Sequence, residues 1–205
     1  MNLQTREGTT DLMTVKSIGQ YKSCPIPEGA TVLDIGGHIG TFTTWAVGQG
    51  AGKVVAYEPE PDNFRMLSLN TAGMPVELNN KAVTRDGRDV ALHVKTSGHT
   101  GGHSIIFNGP TRQDLIVPSD RFIDIVNRVQ PVVIKMDCEG AEYEFDLPET
   151  LPDSVRYVTM EIHLNRKDFR NELAPKMIEG FKNWTPIKAP RITPKGWQTT
   201  VVWGR

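Results

Sequence analysis

The segment from Thr31 to Thr41, T-V-L-D-I-G-G-H-I-G-T, constrains the fold more than any other part of the chain. Its apolar start, V-L-x-I, predicts a short strand buried inside a parallel sheet. Gly36, Gly37 and Gly40 allow a tight turn into a helix that we expect to begin near Ile39. A strand, a glycine turn and a helix start together bring backbone N–H groups close to a ligand.

The spacing of this turn, D-x-G-x-x-x-G, excludes two familiar phosphate-binding loops. His38 breaks a G-x-G-x-x-G pattern, and no G-K-[ST] follows as in a P-loop. A carboxylate at the strand end, Asp34, would also repel a pyrophosphate. Asp34 instead suits a ligand that is cationic or donates hydrogen bonds, such as S-adenosylmethionine with its sulfonium, ammonium and ribose diol. The alternative is a capping Asp beside ordinary turn glycines.

A second acid follows at the end of the next predicted strand, in K-V-V-A-Y-E-P from Lys53 to Pro59. Glu58 lies 58 − 34 = 24 positions after Asp34, close to the roughly 20-residue spacing of an acid that binds a ribose. A carboxylate there can accept bonds from both ribose hydroxyls, although a solvated Glu is the simpler alternative. Asp62 is predicted to cap the helix that follows.

Size and composition bound the remaining possibilities. A chain of 205 residues suits one domain, and a net charge of −1 gives no general attraction to nucleic acid or membrane. The two cysteines, Cys24 and Cys138, are too few for a disulfide scaffold. With no signal sequence and no apolar run of membrane-spanning length, we expect a cytoplasmic protein. The oligomeric state stays open.

Predicted strands and helices alternate along the chain, which indicates an α/β fold. We expect a Rossmann-like, doubly wound, seven-stranded sheet, mainly parallel with an antiparallel C-terminal edge strand. We assign residues 1–28 to an N-terminal arm, flexible or a flap, and residues 29–205 to a single domain. Predicted helices are 39–47, 63–70, 120–129 and 169–184. Further predicted strands are 76–83, 90–94 (in a hairpin), 131–138 and 156–163, with a final hairpin of 185–188 and 198–203 turning at Pro194, Lys195 and Gly196.

The stretch from Thr96 to Ser104, T-S-G-H-T-G-G-H-S, is the least regular part of the sequence. His99 and His103 are four residues apart, a spacing that would suit a metal on a helix. The three glycines argue against a helix, so we predict a mobile loop that covers the acceptor and no metal site.

Several predicted strands end in acids, a pattern that core packing does not require. Asp137 and Glu161 end the two later strands, and His163 follows nearby. In doubly wound sheets, ligands bind at the carboxyl ends of the strands near the topological switch. We therefore expect these side chains to share one site with the acids of the first two strands.

Two segments resemble a known family. V-L-D-I-G-G-H-I-G-T-F-T resembles the S-adenosylmethionine motif of class I methyltransferases. V-V-I-K-M-D-C-E-G-A-E-Y-E is similar to the I-K-x-D-x-E-G-A-E signature of the FkbM-type methyltransferases, and Y-E-P-E-P-D-N-F and M-E-I-H also match. The resemblance covers about Thr31 to His163. It implies a seven-stranded Rossmann-like fold and transfer of a methyl group, usually to a hydroxyl.

The resemblance also implies a cofactor site for S-adenosylmethionine. The glycine turn would frame the methionine end, Glu58 would bind the ribose, and Ala82 and Val83 would lie near the adenine. His38 replaces the small or polar residue often found in this turn. The residues expected at the cofactor are Asp34, Gly36, Gly37, His38, Gly40, Thr41, Glu58, Pro59, Asn63, Ala82, Val83, Asp137 and Glu139.

Methyl transfer to an alcohol needs a group that takes the acceptor's proton. His163 is the first candidate for that base, because an unperturbed imidazole titrates near neutral pH. Its alternative is a strand-end His packed against the following loop. Asp137 is the second candidate, and Glu161 could orient His163. A divalent metal at Asp137 has no further support in the sequence, so none is predicted.

The predicted function is therefore O-methylation of a hydroxyl on a sugar, a glycan or a small natural product. A binding module that keeps the cofactor site without catalysis is one alternative. A nucleotide-dependent oxidoreductase is another, although the missing G-x-G-x-x-G motif disfavours it.

Overall fold

The structure is a computed structural model that describes residues 3–192, 196 and 198–205. The strands of its central, seven-stranded sheet are β1 (Thr31–Ile35), β2 (Lys53–Tyr57), β3 (Val76–Asn79), β8 (Val133–Met136), β9 (Tyr157–His163), β10 (Thr185–Lys188) and β11 (Gln198–Gly204). They are arranged in the order β10-β11-β9-β8-β1-β2-β3. The intervening strands are β4 (Ala82–Thr84), β5 (Val90–Lys95), β6 (Arg112–Val117) and β7 (Ser119–Arg121).

The five strands from β3 to β9 in this order run parallel to one another. β11 is antiparallel to β9 and β10 is antiparallel to β11, so a hairpin forms one edge of the sheet. The chain builds β1, β2 and β3 in one direction and then returns to place β8 and β9 on the other side of β1. The sheet therefore switches direction between β1 and β8, as a doubly wound fold requires, and the predicted fold class is confirmed.

The helices flank the sheet and differ slightly from their predicted bounds. They are α1 (Asp11–Ser17), α2 (Thr41–Gly48), α3 (Pro61–Asn70), α4 (Phe122–Val129) and α5 (Ala174–Gly180). The helix predicted from Ile39 begins two residues later, because Gly40 at its N-terminus has a left-handed φ of 90°. The cap of α3 is Glu60, whose carboxylate accepts the Asp62 and Asn63 N–H groups, so the predicted Asp62 cap is wrong.

The strand predicted over residues 76–83 is two strands in different sheets. Asn80 turns the chain after β3, because its side chain donates to the backbone carbonyls of Glu58 and Pro59 at 2.8 and 3.2 Å. β4 then pairs in parallel with β7, which occupies the start of the predicted helix 120–129. β5 is a strand as predicted, but its antiparallel partner in the hairpin is the later strand β6, not the segment that precedes β5.

The helix predicted over residues 169–184 is three consecutive helical segments. A π-helical segment, Phe169–Leu173, precedes α5, and a 3₁₀ turn, Phe181–Asn183, follows it. Pro175 lies in the first turn of α5, at the junction with the π-helical segment. β10 and β11 form the predicted final hairpin, but Pro194 and Lys195 of its predicted turn lie outside the described residues.

Alternation along β1 divides the core between the two faces of the sheet. Leu33 and Ile35 pack into one apolar cluster, and Val32 packs into the other with Phe42 and Trp45 of α2. Tyr21 joins that second cluster from a 3₁₀ turn that follows α1. The N-terminal segment is therefore anchored against the sheet. Among the described helices, none combines the length and the apolar character needed to cross a bilayer.

Candidate functional site

A cavity of about 400 Å³ lies at the carboxyl ends of the central strands, beside the switch between β1 and β8. Its size falls in the usual range for a small-molecule site. Most of the predicted site residues line it: Gly36, His38, Glu58, Pro59, Asn63, Ala82, Val83, Asp137, Glu139 and Glu161. The other five predicted residues, Asp34, Gly37, Gly40, Thr41 and His163, do not line this cavity.

Gly36 allows the turn after β1 to meet the end of β8. Its φ is +81°, and a Cβ atom there would lie 1.8 Å from the carbonyl oxygen of Asp137. No side chain fits that gap, and the left-handed φ also favours glycine. The close approach holds the glycine turn and Asp137 on the same wall of the cavity.

Asp34 lies beneath the cavity in a buried ion pair. One carboxylate oxygen is 3.1 Å from Lys135 Nζ, and the other accepts a hydrogen bond from Thr43 Oγ1 at 2.6 Å. Lys135 also donates to the carbonyl oxygen of Gly36 at 2.6 Å. The predicted contact between Asp34 and a cationic ligand therefore finds no support in the geometry, because its charge is already matched and its side chain is fully buried.

Glu58 is a buried acid of a different kind. Its carboxylate accepts only backbone N–H groups, from His38 at 2.9 Å and from Glu60 at 3.0 Å. No ion pair joins it to a basic side chain within the described residues. Burial raises the pKa of Glu58 to about 7. Because it also lines the cavity, its oxygens are placed to accept bonds from ligand hydroxyls.

The wall next to Glu58 is largely apolar. Ala82 and Val83 of β4 form it together with Leu92 of β5 and Ile105, and Lys81 lies at its rim. Such a surface suits the flat face of a base, and the contact of Ala82 and Val83 with the adenine stays a prediction.

The opposite end of the cavity carries hydrogen-bonding groups. Tyr21 Oη donates to Asp137 Oδ2 at 2.8 Å and lies 3.3 Å from Glu161 Oε2, which also accepts from Gln20 Nε2 at 3.2 Å. Burial raises the pKa of Glu161 to about 8, and the neighbouring charge of Asp137 adds to this shift. Burial also opposes the charge of Asp137, but Lys135, His163 and the hydrogen bond from Tyr21 together outweigh burial and lower the pKa of that carboxyl. At neutral pH Asp137 is ionised and Glu161 keeps its proton.

His163 lies behind this end of the cavity, between two carboxylates. Its Nδ1 is 3.0 Å from Glu142 Oε1, and its Nε2 is 3.5 Å from Glu139 Oε2. Burial disfavours the charged imidazole, but Glu142 and Glu139 together raise the pKa of His163 well above its usual value. The ring of Phe107 lies over it with centroids 6.4 Å apart. His163 is thus enclosed and protonated at neutral pH.

His38 projects into the cavity from the glycine turn, with a left-handed φ of 50°. Both of its ring nitrogens are buried, and neither has a hydrogen-bond partner within the described residues. Burial lowers the pKa of His38 to about 4, so the ring is neutral. A ligand can therefore satisfy these two nitrogens.

A smaller cavity of about 40 Å³ continues from the same turn beneath the N-terminal segment. Gly37, Thr41 and Lys135 line it together with Ser17 and Tyr21. Thr41 Oγ1 is buried there without a hydrogen-bond partner in the described chain. Two of the predicted residues that miss the larger cavity, Gly37 and Thr41, thus border this one.

The N-terminal segment and the loop of residues 96–104 are tied together across the cavity. Arg6 donates to the Asp11 carboxylate from Nε and Nη2, both at 2.9 Å, and to Asn63 Oδ1 at 2.6 Å. Thr100 Oγ1 donates to Asp11 Oδ1 at 2.8 Å, and Asn63 Nδ2 donates to the Thr100 carbonyl at 3.0 Å. Asn63, expected near the ribose, therefore anchors this covering layer.

The two loop histidines have separate roles. His103 Nδ1 accepts the Lys95 N–H at 3.0 Å, whereas His99 is exposed, and both residues line the cavity. The segment is not helical, as the glycines predicted. The four-residue spacing therefore does not place His99 and His103 on one face of a helix.

Sequence reasoning missed four residues that shape the site: Gln20, Tyr21, Lys135 and Glu142. Lys135 had a usable signal, because a lone charge inside the apolar run V-V-I-K-M needs a buried partner. Glu142 lies inside the quoted E-G-A-E segment. No local pattern marks Gln20 or Tyr21, which reach the site only through the packing of the N-terminal segment.

Comparison with known proteins identifies the family and the fold of this chain. A sequence model of the methyltransferase FkbM domain matches residues 34–185. Among functionally curated proteins, no significant sequence match was found. A solved structure of methyltransferase FkbM from Methylobacillus flagellatus KT matches with a TM-score of 0.56 and 16% identity, over 85% of this chain and 43% of that chain. This chain thus spans less than half of that protein's length.

A second structure, precorrin-6y C5,15-methyltransferase from Geobacter metallireducens GS-15, covers 100% of this chain and 94% of its own at 9% identity and a TM-score of 0.51. At such identities these likenesses show the fold alone. The fold of this chain is the Rossmann-like fold that these structures share. The match over residues 34–185 is more specific: the chain belongs to the FkbM methyltransferase family, and its cofactor is S-adenosylmethionine, as predicted.

Proposed function

We propose that this protein transfers a methyl group from S-adenosylmethionine to a hydroxyl of a sugar, a glycan or a small natural product. The observation that carries the proposal is the polar end of the cavity, where Asp137, Glu161 and Gln20 converge. Side-chain amides and carboxylates suit an acceptor with several hydroxyls. An ionised carboxylate at this point also gives the acceptor proton a destination.

The cofactor fits this cavity in one direction. Its adenine would contact the apolar wall at Ala82 and Val83, and its ribose hydroxyls would donate to Glu58. The methionine end would then lie along the glycine turn, near His38 and the smaller cavity. This arrangement directs the sulfonium methyl group toward the polar end that contains Asp137.

The reaction is an in-line displacement. The bound cofactor would supply a methyl group to the acceptor oxygen, and the electron pair of the broken carbon–sulfur bond would stay on sulfur in S-adenosylhomocysteine. The acceptor proton passes to the Asp137 carboxylate, which the Tyr21 hydroxyl holds in place at 2.8 Å. The protein contributes alignment and this proton acceptor, and the cofactor contributes the reactive methyl group.

His163 is assigned a positioning role instead of the predicted role of base. Its Nδ1 is held against Glu142, its Nε2 faces Glu139, and it does not line the larger cavity. A ring that is already protonated cannot accept the acceptor proton. Its contacts do fix Glu139, which lines the cavity.

A turnover screen tests the proposal. Labelled S-adenosylmethionine would be incubated with sugars, lipid-linked glycans and small alcohols, and methylated products detected by mass spectrometry. Asp137→Asn should lower turnover by about 10²–10⁴-fold, the usual scale for general base catalysis. Asp146→Asn, whose carboxylate pairs with Arg85 at the surface, is the matched control and should keep full activity.

The outcomes separate the rival functions. Methylation of a hydroxyl that Asp137→Asn abolishes supports the proposal. Turnover that is unchanged in Asp137→Asn would remove this residue as the base. Binding of S-adenosylhomocysteine without turnover on any acceptor would favour the non-catalytic binding module. Binding of NAD in its place would favour the oxidoreductase.

A further inference from the structure

Three side chains around the end of β8 could serve together as metal ligands. Asp137, Glu139 and His163 each offer one donor atom, and these atoms all lie within 4.8 Å of one another. One imidazole nitrogen and two carboxylate oxygens form a donor set that suits Mn²⁺, Fe²⁺ or Zn²⁺. Because Asp137 and Glu139 both line the larger cavity, an ion there would have open positions facing it.

The surroundings of His163 are those of a metal-binding histidine. Glu142 is fully buried, and its Oε1 accepts from the His163 backbone N–H at 2.8 Å and lies 3.0 Å from Nδ1. A carboxylate on one ring nitrogen fixes the tautomer and the orientation, and leaves the other nitrogen as the ligand. That other nitrogen, Nε2, is buried and makes no hydrogen bond within the described residues.

The backbone directs Glu139 toward the same point. Glu139 has a left-handed φ of 52°, and the following Gly140 has a φ of 99°. The Glu139 carbonyl is fixed by Ser104 Oγ at 2.5 Å, and its carboxylate then lies 3.5 Å from His163 Nε2. Asp137, Glu139 and Glu142 place three carboxylates around one imidazole, a surplus of negative charge that a divalent cation would neutralise.

We propose that Asp137, Glu139 and His163 bind a divalent transition-metal ion, with Glu142 orienting the histidine. The ion takes the place of the proton on His163 Nε2, at the cavity edge where the acceptor hydroxyl is expected. There it polarises that hydroxyl and lowers its pKa, so that the acceptor proton passes more easily to the Asp137 carboxylate oxygen that the ion leaves free. Only this catalytic use rests on the proposed function. The binding of the ion depends on the four side chains alone and can be measured without cofactor or acceptor.

Mn²⁺ is the probe, because its free form gives an electron paramagnetic resonance signal that disappears on binding. Titration of the metal-stripped, full-length chain should show one saturable site. Glu139→Gln should weaken Mn²⁺ binding at least tenfold, and Glu142→Gln should weaken it by about 10–100-fold, the usual effect of losing the carboxylate behind a ligating histidine. Glu144→Gln is the matched control, because Glu144 lies in the same turn but pairs with Arg88 at 3.3 Å.

Thermal melting checks that each variant is folded. Glu139→Gln is the preferred variant, because the Glu139 side chain is 27% exposed. Lack of saturable Mn²⁺ binding to the wild-type chain would overturn the proposal. Equal affinities of folded Glu139→Gln and Glu144→Gln would also overturn it. Parallel calorimetry with S-adenosylhomocysteine keeps the two proposals separate. If the protein binds Mn²⁺ but not S-adenosylhomocysteine, only the proposed function is contradicted. If it binds S-adenosylhomocysteine but not Mn²⁺, only the metal site is contradicted.

Discussion

The ends of β1 and β2 lie side by side, and each carries a buried carboxylate, but only one of the two has a cation. Asp34 is paired with Lys135 at 3.1 Å and bonded to Thr43, so its charge is satisfied within the protein. Glu58 accepts two backbone N–H groups and lines the cavity. The difference shows that a buried acid without a cation is the better candidate for binding a ligand.

The same distinction applies at the other end of the site. His163 has carboxylates on both sides, whereas His38 has two buried nitrogens with no hydrogen-bond partner within the described residues. Sequence alone ranked His163 as the reactive histidine and His38 as a variation in the turn. The structure reverses this ranking for an organic ligand, because His38 lines the larger cavity and His163 does not.

The largest expected effect comes from breaking the satisfied pair. Lys135→Met keeps most of the side-chain volume but leaves the Asp34 carboxylate buried without a cation. Removing one partner of a buried ion pair costs about 3–5 kcal/mol, so we expect a loss of that size in the free energy of unfolding. Urea denaturation at neutral pH measures it.

Lys53→Met is the control for that experiment, because Lys53 pairs with Glu77 at the exposed end of β2. Exposed pairs contribute about 0–1 kcal/mol, so this variant should unfold almost like the wild type. Equal losses of unfolding free energy in Lys135→Met and Lys53→Met would show that the buried pair of Asp34 and Lys135 stabilises the fold no more than an exposed pair does.

The second effect concerns the acid without a cation. Glu58→Gln removes the charge that ribose hydroxyls are expected to bond, and should weaken S-adenosylhomocysteine binding by about 1–3 kcal/mol. Isothermal titration calorimetry measures the change. Glu77→Gln, a substitution in β3 outside the cavity, should leave the affinity unchanged. An unaltered affinity in Glu58→Gln would remove this residue from the site.

The smallest effect concerns the layer that covers the cavity. Thr100→Val keeps the side-chain shape but loses the bond to Asp11 and the contact with Thr10. The loss of a hydrogen bond of this kind costs about 1 kcal/mol, so residues 96–104 should exchange amide hydrogens faster. Thr96→Val is the control, because the Thr96 hydroxyl donates to the carbonyl of Thr111, which lies outside both this loop and the N-terminal segment. Equal exchange in both variants would show that Thr100 does not hold the loop closed.

The same experiment decides the predicted mobility of this loop. Bound cofactor and acceptor should slow its exchange, because the layer lies over both. Strong protection in the free protein would indicate a permanently closed loop.

Much of the fold could be predicted because β1, β2 and β8 carry their patterns locally. The V-L-x-I and K-V-V-A-Y runs predict buried parallel strands, and the acids after them place the site at the correct edge. The break between β3 and β4 at Asn80 could not be predicted from the sequence, because it depends on a side chain that bonds to Glu58 and Pro59 in another segment. Residue type and spacing identify candidate site residues, but their partners come from distant parts of the chain.

The N-terminal segment shows this limit most clearly. Its polar sequence was compatible with a flexible arm or a flap, yet Tyr21 packs with Phe42 and contacts the site acid Asp137. Asp11 is fully buried, because Arg6 and Thr100 bond to it. These contacts span more than 80 residues in sequence for Thr100 and more than 110 for Asp137, and no local pattern encodes them.

The central claim is that Glu58 has no cation beside it in the protein and is therefore available to the cofactor. The release of the Glu58 proton when the ligand binds provides the most direct measurement. In the folded, ligand-free protein burial raises the pKa of Glu58 to about 7, above the value of about 4.3 for an unperturbed Glu. The folded state therefore binds more protons than the unfolded state between these values, and stability contributed by Glu58 is lost as pH rises through that window. Ligand hydroxyls favour the ionised form, so binding should release this proton and weaken as pH falls below 7.

Calorimetric titration of S-adenosylhomocysteine near pH 6, in two buffers of different ionisation enthalpy, measures the protons released. Groups other than Glu58 contribute equally in a matched variant, so the difference between the wild type and Glu58→Gln isolates this carboxyl. We predict clear proton release by the wild type, and much less by Glu58→Gln, whose affinity should also lose its dependence on pH in this range. Equal proton release by the two proteins would contradict the account.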